Sequence, residues 1–330
     1  MEENRIVLKR TNKRDAAGFL LFVFLLPYVC ACLWGHVGVE NDVLRAQKRQ
    51  EQSAGEAEEL RILADMKWGV WELSMEEYLV YKLESVMPGN YEKEALKAQA
   101  VLLRTEVIRA WQEQGGDSLW VSGDGLEKWY ETDGKSDKNI LPYTEAVEET
   151  KGLYLCYQGE PIQASYFKIS NGRTRDAGKV WKTEKFPYLT SISCEQDKSA
   201  QEYRSEVTVS KADYLQEISS HIGEEYSSQE LWEGMRFIYD ETDYVTNVSF
   251  YVEKEEVGQM DGEAFRYLFA LPSASFEAEL TDTQIIFHVT GVGHGFGMSQ
   301  YGANCRAING ESYNEILKEF FFGTELAKIE

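Results

Sequence analysis

Between Gly291 and Gly302 the chain reads G-V-G-H-G-F-G-M-S-Q-Y-G, with glycine at alternate positions and then a short polar run. His294, Ser299, Gln300 and Tyr301 fall within it. An imidazole, a hydroxyl, an amide and a phenol on glycine-permitted backbone can line a pocket and bond a polar ligand. The spacing fails the dinucleotide pattern and lacks the Gly-Lys-Ser/Thr of a phosphate loop, so nucleotide chemistry is excluded. Gln284 to Thr290, rich in β-branched and aromatic residues, predicts a strand before this stretch. Gln300 to Ile308 predicts a helix after it. A strand, a glycine turn and a helix N-terminus bring backbone N–H groups toward one point. On composition alone the same glycines also fit a plain tight turn.

The 330 residues include 43% hydrophobic residues and 19 tyrosines, enough for a packed core without disulfides. The net charge of −22 excludes nucleic acid as a partner, because phosphate binding needs a basic surface. Cys30, Cys32, Cys156, Cys194 and Cys305 form no C-x-x-C pair, so neither a metal site nor a cofactor is expected. A Cys156–Cys194 disulfide is left open by the sequence.

Residues 1–15 carry Arg5, Lys9, Arg10, Lys13 and Arg14 and are expected to form a cytoplasmic tail. Residues 16–34 are uncharged and mostly apolar, close to the roughly 20 residues that span a bilayer. Without a small-x-small cleavage site, an uncleaved transmembrane anchor is expected over a signal peptide, which places the main domain outside the cell membrane. Residues 35–65 are expected as a linker or stalk, with a short coiled coil as the alternative.

From residue 66 the pattern predicts an α+β domain: mixed, mainly antiparallel strands with several helices. Ser74 with Glu77 three residues later predicts a capping box opening a helix at Met75. Glu92 to Gln114 predicts a long helix, with Leu96, Ala100, Leu103, Val107 and Ala110 on one face. Arg104 beside that stripe fits either solvent or a buried role orienting a carboxylate. Gly152 to Tyr157 and Pro161 to Phe167 predict a hairpin, and Phe186 to Ser193, Tyr203 to Val209, Phe237 to Tyr239 and Val245 to Val252 further strands. Helices are expected from Ser210 to Ser220 and from Gly262 to Leu271.

Several stretches resemble one family. Glu94 to Thr105 reads E-A-L-K-A-Q-A-V-L-L-R-T, and Gly293 to Ala303 reads G-H-G-F-G-M-S-Q-Y-G-A. Pro161-Ile, Tyr166-Phe167, Gly172 to Thr174, Val180-Trp181 and Pro187 to Leu189 follow in the family's order. On these motifs residues 66–330 resemble the stage II sporulation protein D family, the SpoIID/LytB domain. The resemblance implies a membrane-anchored lytic transglycosylase that cuts peptidoglycan glycan strands stripped of stem peptides during engulfment of the forespore. It also implies work alongside a membrane amidase and a polytopic membrane partner. One carboxyl group with a raised pKa serves both proton transfers of that chemistry.

The resemblance places that carboxylate before Met-Pro, where this chain has Val86. Glu84, two residues upstream, is the substitute candidate for the acid. Candidate substrate-binding residues are Arg104, Tyr166, Lys168, Ser170, His294, Ser299, Gln300 and Tyr301. Lys168 itself departs from the histidine or serine common after Tyr-Phe. Three readings follow: a lyase with a displaced acid, a member that binds glycan without cutting it, and a regulator of a partner amidase.

Overall fold

The computed structural model describes residues 60–115, 118–131, 140–222 and 228–329. The expected tail, anchor and most of the linker lie outside them. Among the described residues no helix is long and apolar enough to cross a membrane. Residues from Leu60 onward form one compact unit of mixed helices and mostly antiparallel strands, an α+β fold.

The chain opens with β1 (Arg61–Met66) and β2 (Gly69–Ser74), a tight antiparallel pair. The expected stalk therefore ends earlier than the sequence pattern placed it: Ile62, Ala64 and Met66 alternate into the core, the period of a half-buried strand. Helix α1 (Met75–Val86) starts on the Ser74–Glu77 capping box, and α2 (Lys93–Gln114) follows the Pro88-Gly89 break and packs against it. Next come β3 (Ser118–Ser122), parallel to β1, α3 (Asp124–Glu131) and α4 (Leu141–Glu149). Then follow β4 (Leu153–Tyr157), β5 (Glu160–Pro161) and β6 (Tyr166–Phe167). The predicted hairpin is cut short, since Cys156 pairs with Pro161 but β6 leaves for another sheet.

Helix α5 (Ala177–Trp181) precedes an irregular stretch where a strand over Phe186 to Ser193 was expected. Pro187 removes a ladder donor there, and the apolar Tyr188 and Leu189 are buried from a loop instead. After a 3-10 turn at Glu195–Ser199, β7 (Arg204–Ser210) leads into α6 (Lys211–Ile222), α7 (Ser228–Glu233), β8 (Met235–Tyr239), β9 (Val245–Val252), β10 (Glu255–Asp261) and α8 (Gly262–Leu268). The antiparallel β11 (Phe276–Leu280) and β12 (Gln284–Thr290) bring the chain back beside β7. It closes with β13 (Met298–Ser299), α9 (Gln300–Ile308), α10 (Tyr313–Phe320) and β14 (Glu325–Lys328).

Two cores result. The first gathers α1, α2 and the sheets of β1, β4 and β14 with Phe296, Met298, Ile316, Leu317 and Phe320 from the far end of the chain. The second is built from β7 to β12, with Phe250, Phe265, Phe276 and Phe287 at its centre. Cys156, Cys194 and Cys305 are free thiols, so no disulfide links these layers.

Candidate functional site

The stretch between β12 and α9 lies where the two cores meet. Gly291, Gly293, Gly295 and Gly297 all have positive φ, a region closed to most side chains. Gly297 shows why: a Cβ there would sit 2.0 Å from the carbonyl oxygen of Ser165. That close approach lets Met298 pair in parallel with Tyr166, so β13 and β6 form a two-stranded ribbon. The loop is thereby pinned against the segment that carries Tyr166, Lys168 and Ser170.

A buried carboxylate ties the two segments together. Asp197, in the 3-10 turn, accepts from the Ser299 hydroxyl at 2.6 Å and from the Ser170 amide at 2.7 Å. Ser299 also caps α9, accepting from the Gly302 amide. Burial pushes the Asp197 pKa up, and these hydrogen bonds pull it back. No sequence pattern singled out Asp197, because a lone acid in a turn has no periodic signature.

The eight residues expected to face substrate divide into two groups. Arg104, Ser170, Ser299 and Gln300 are buried and bonded to protein groups. Arg104 donates to Glu76 of α1 and to the carbonyls of Val147 and Leu153, so it is the buried arginine orienting a carboxylate, and that carboxylate comes from a helix. The Gln300 amide donates to Gln99 at 3.1 Å. Ser170, Ser299 and Gln300 hold the loop, whereas Arg104 ties α2 to α1, α4 and β4. Tyr166, His294 and Tyr301 are half-buried and Lys168 is exposed. The Tyr301 amide donates to the Lys168 carbonyl, and its hydroxyl lies 3.1 Å from that of Ser199.

His294 is neutral near pH 7. Burial, with the nearby Arg266 and Arg175 charges, lowers its pKa to about 4. Its Nδ1 accepts from the Phe296 amide at 3.1 Å, which fixes the ring. His294 and Phe296 form one side of a cavity of about 450 Å3 on the seam between the cores. Trp181, Tyr267, Arg175 and Glu263 line it as well. Trp181 lies tilted against Phe296 with ring centroids 4.4 Å apart yet stays 45% exposed, and Tyr267 is 71% exposed. Such a cavity, with aromatic walls and a few acceptors, suits a polar ring with apolar faces. Trp181 lies within the resembling stretches, but nothing in its spacing marked it as a wall.

Val86 ends α1, and the following loop meets α9 through the Glu92 amide, which donates to Asn304. Glu84 accepts from the indole N–H of Trp129 on α3. Both residues belong to the same regular helix, so Glu84 points about 200° around the axis from Val86. It cannot present its carboxyl where the Val86 side chain is. A different acid stands out: Glu106 of α2 makes no hydrogen bond among the described residues, and burial raises its pKa to about 7. It lies near Tyr78, Lys82 and Tyr166.

A family model described as "Stage II sporulation protein" matches residues 66–157. Stage II sporulation protein D of Bacillus amyloliquefaciens is 30% identical over 279 residues, covering 78% of this chain and 75% of that protein. The chain belongs to the stage II sporulation protein D family. The Bacillus subtilis (strain 168) member is 29% identical over 272 residues, 78% of this chain and 76% of its own length. An "Amidase enhancer" of Bacillus subtilis (strain 168) is 26% identical over 291 residues, covering 73% of this chain and 39% of that protein. Family membership ties the chain to sporulation and to cell-wall-related function. The matched region spans both α1, with Val86, and α2, with Arg104 and Glu106.

Proposed function

We propose that this protein binds peptidoglycan glycan strands at the seam between its two cores and does not cut them by the family's route. The observation that carries this reading is Val86. A side chain without an ionisable proton stands where the resemblance requires the acid, and α1 turns Glu84 away from it. The aromatic-walled cavity at the glycine loop supports the binding half. On this reading the apolar run over residues 16–34 anchors the protein in the cell membrane with the domain outside, where the wall lies. A role beside an amidase is favoured by the likeness to an amidase enhancer, and the strand-binding domain would then act as a scaffold.

The test uses the full chain in detergent with amidase-treated peptidoglycan, read by mass spectrometry for anhydro-muramic products and by co-sedimentation for binding. Retention without products is expected from the native chain. Val86→Glu is expected to produce anhydro products, because it restores a carboxyl at the end of α1. Products from the native chain would overturn the non-cutting reading, and absence of retention would overturn glycan binding.

A further inference from the structure

The cavity at the glycine loop has a neighbour. A second cavity, of about 720 Å3, shares Val180 and Thr246 with it, so the two adjoin beside α5. The two differ in charge. Among the described residues the only cation lining the first is Arg175, and its charge is spoken for: Asp240 accepts from it at 2.8 Å, Glu263 lies 3.5 Å away, and its guanidinium sits 4.6 Å from the centre of the Phe296 ring. His294 adds no charge near neutrality. Glu263 Oε1 is buried with no hydrogen-bond partner among the described residues. It is an acceptor awaiting an O–H or N–H donor. Asp261 adds a second carboxylate to the lining. Glu263 pairs through its other oxygen with Arg266 at 2.7 Å, and Asp261 caps α8, so this cavity offers a stacking face and acceptors with its charges balanced inside the protein.

The second cavity adds cations without partners. Its carboxylates are engaged within the protein: Asp176 accepts from the Lys179 amide at 3.0 Å, Asp240 is held by Arg175 and Thr242, and Glu241 pairs with Lys179. Arg173 and Lys182 line the same cavity and have no carboxylate partner among the described residues. Lys182 ends α5 in the left-handed region. Two exposed, unpaired cations beside a neutral aromatic slot form a site for a carboxylate attached to a neighbouring ring.

We propose that the two cavities read consecutive sugars of the strand: the first takes the uncharged N-acetylglucosamine, stacked on Trp181, and the second takes N-acetylmuramic acid through the carboxylate of its lactyl group. This inference rests on the reading that a glycan strand is the ligand. It makes the groove a reader of the strand's alternation. It also sets the register, because a one-sugar slip would take the carboxylate away from Arg173 and Lys182.

The experiment measures binding of the full chain in detergent to three probes: stem-peptide-free strands, the same strands with carboxyls converted to methylamides, and uncharged chito-oligosaccharides. The native chain is expected to bind the acidic strands roughly fivefold more tightly than the amidated ones, with the difference shrinking as salt is added. Arg173→Gln with Lys182→Gln is expected to abolish that preference while leaving amidated-strand and chito-oligosaccharide binding unchanged. Trp181→Ala is expected to weaken all three by about tenfold, with Trp181→Phe restoring most of the loss. Thermal melts check that each variant is folded. A native chain that binds acidic and amidated strands equally, or a double variant that still discriminates, overturns the alternation reading and leaves strand binding standing. Failure of the native chain to bind any probe overturns strand binding itself.

Discussion

Arg104→Ala should destabilise the protein by about 3–5 kcal/mol, the cost of leaving a buried charge without its partner. Arg104 is 0% exposed, and its guanidinium bonds Glu76 of α1, Val147 at the end of α4, and Leu153 of β4. One side chain thus joins both helices of the α1–α2 hairpin to α4 and the central strand. Glu76→Ala should cost a similar amount, since the guanidinium then loses its counter-charge. The double variant Glu76→Leu with Arg104→Met should recover more than half of either loss, because it removes the buried charges together. Chemical denaturation of the native chain and the three variants measures each loss. A loss under about 1 kcal/mol for Arg104→Ala would mean that the surrounding carbonyls and water carry the site without the ion pair.

Glu106→Gln should stabilise the protein by about 1–3 kcal/mol at pH 8 and leave it unchanged at pH 4. Burial raises the Glu106 pKa from 4.5 to about 7, and Lys82 offsets only part of that. The folded state therefore holds this proton more tightly than the unfolded chain does. Stability falls as pH rises from about 4.5 through 7, and the loss is complete above 7. Glutamine keeps the shape and removes the titration, so the difference between the two melting curves should grow across that window and then level off. Parallel melting curves at every pH would place the Glu106 carboxyl in water. The groups around it are Tyr78 and Lys82 of α1 and Tyr166 of β6.

What the sequence made readable followed its periodic and local signals. The long helix over Glu92 to Gln114, the capping box at Ser74, the strand Gln284–Thr290 and the helix Gln300–Ile308 all appear within a residue or two of their expected bounds. Helix α5 was missed because five residues with glycine second give no period to detect. β1 was missed because its charged flank, Arg61 and Asp65, blends into the acidic and basic run before it. At the site, the glycine loop was legible because alternating glycine is a local mark of backbone close approach. Its partners were not. Asp197, Arg175, Trp181 and Glu263 reach the loop through tertiary packing, from segments roughly 30 to 120 residues away, and no spacing rule connects them. The direction of Glu84 became decidable only once α1 was seen to stay regular through Val86.

The second core leaves and rejoins the first on a single antiparallel stem, where Arg204 faces Thr290 and Ser205 faces Val289. During synthesis on a ribosome this reverses the usual order of maturation. The segment from β7 to β12 has all its apolar partners as soon as Val289 has emerged. The part made earlier, with α1 and α2, does not, because Phe296, Met298, Ile316, Leu317 and Phe320 are still to come. The later-made layer can close first, while the earlier one waits with its helical face open to solvent or to a chaperone. A chain stopped just short of α10 would therefore carry one finished layer on an unfinished base, and proteases would find the base.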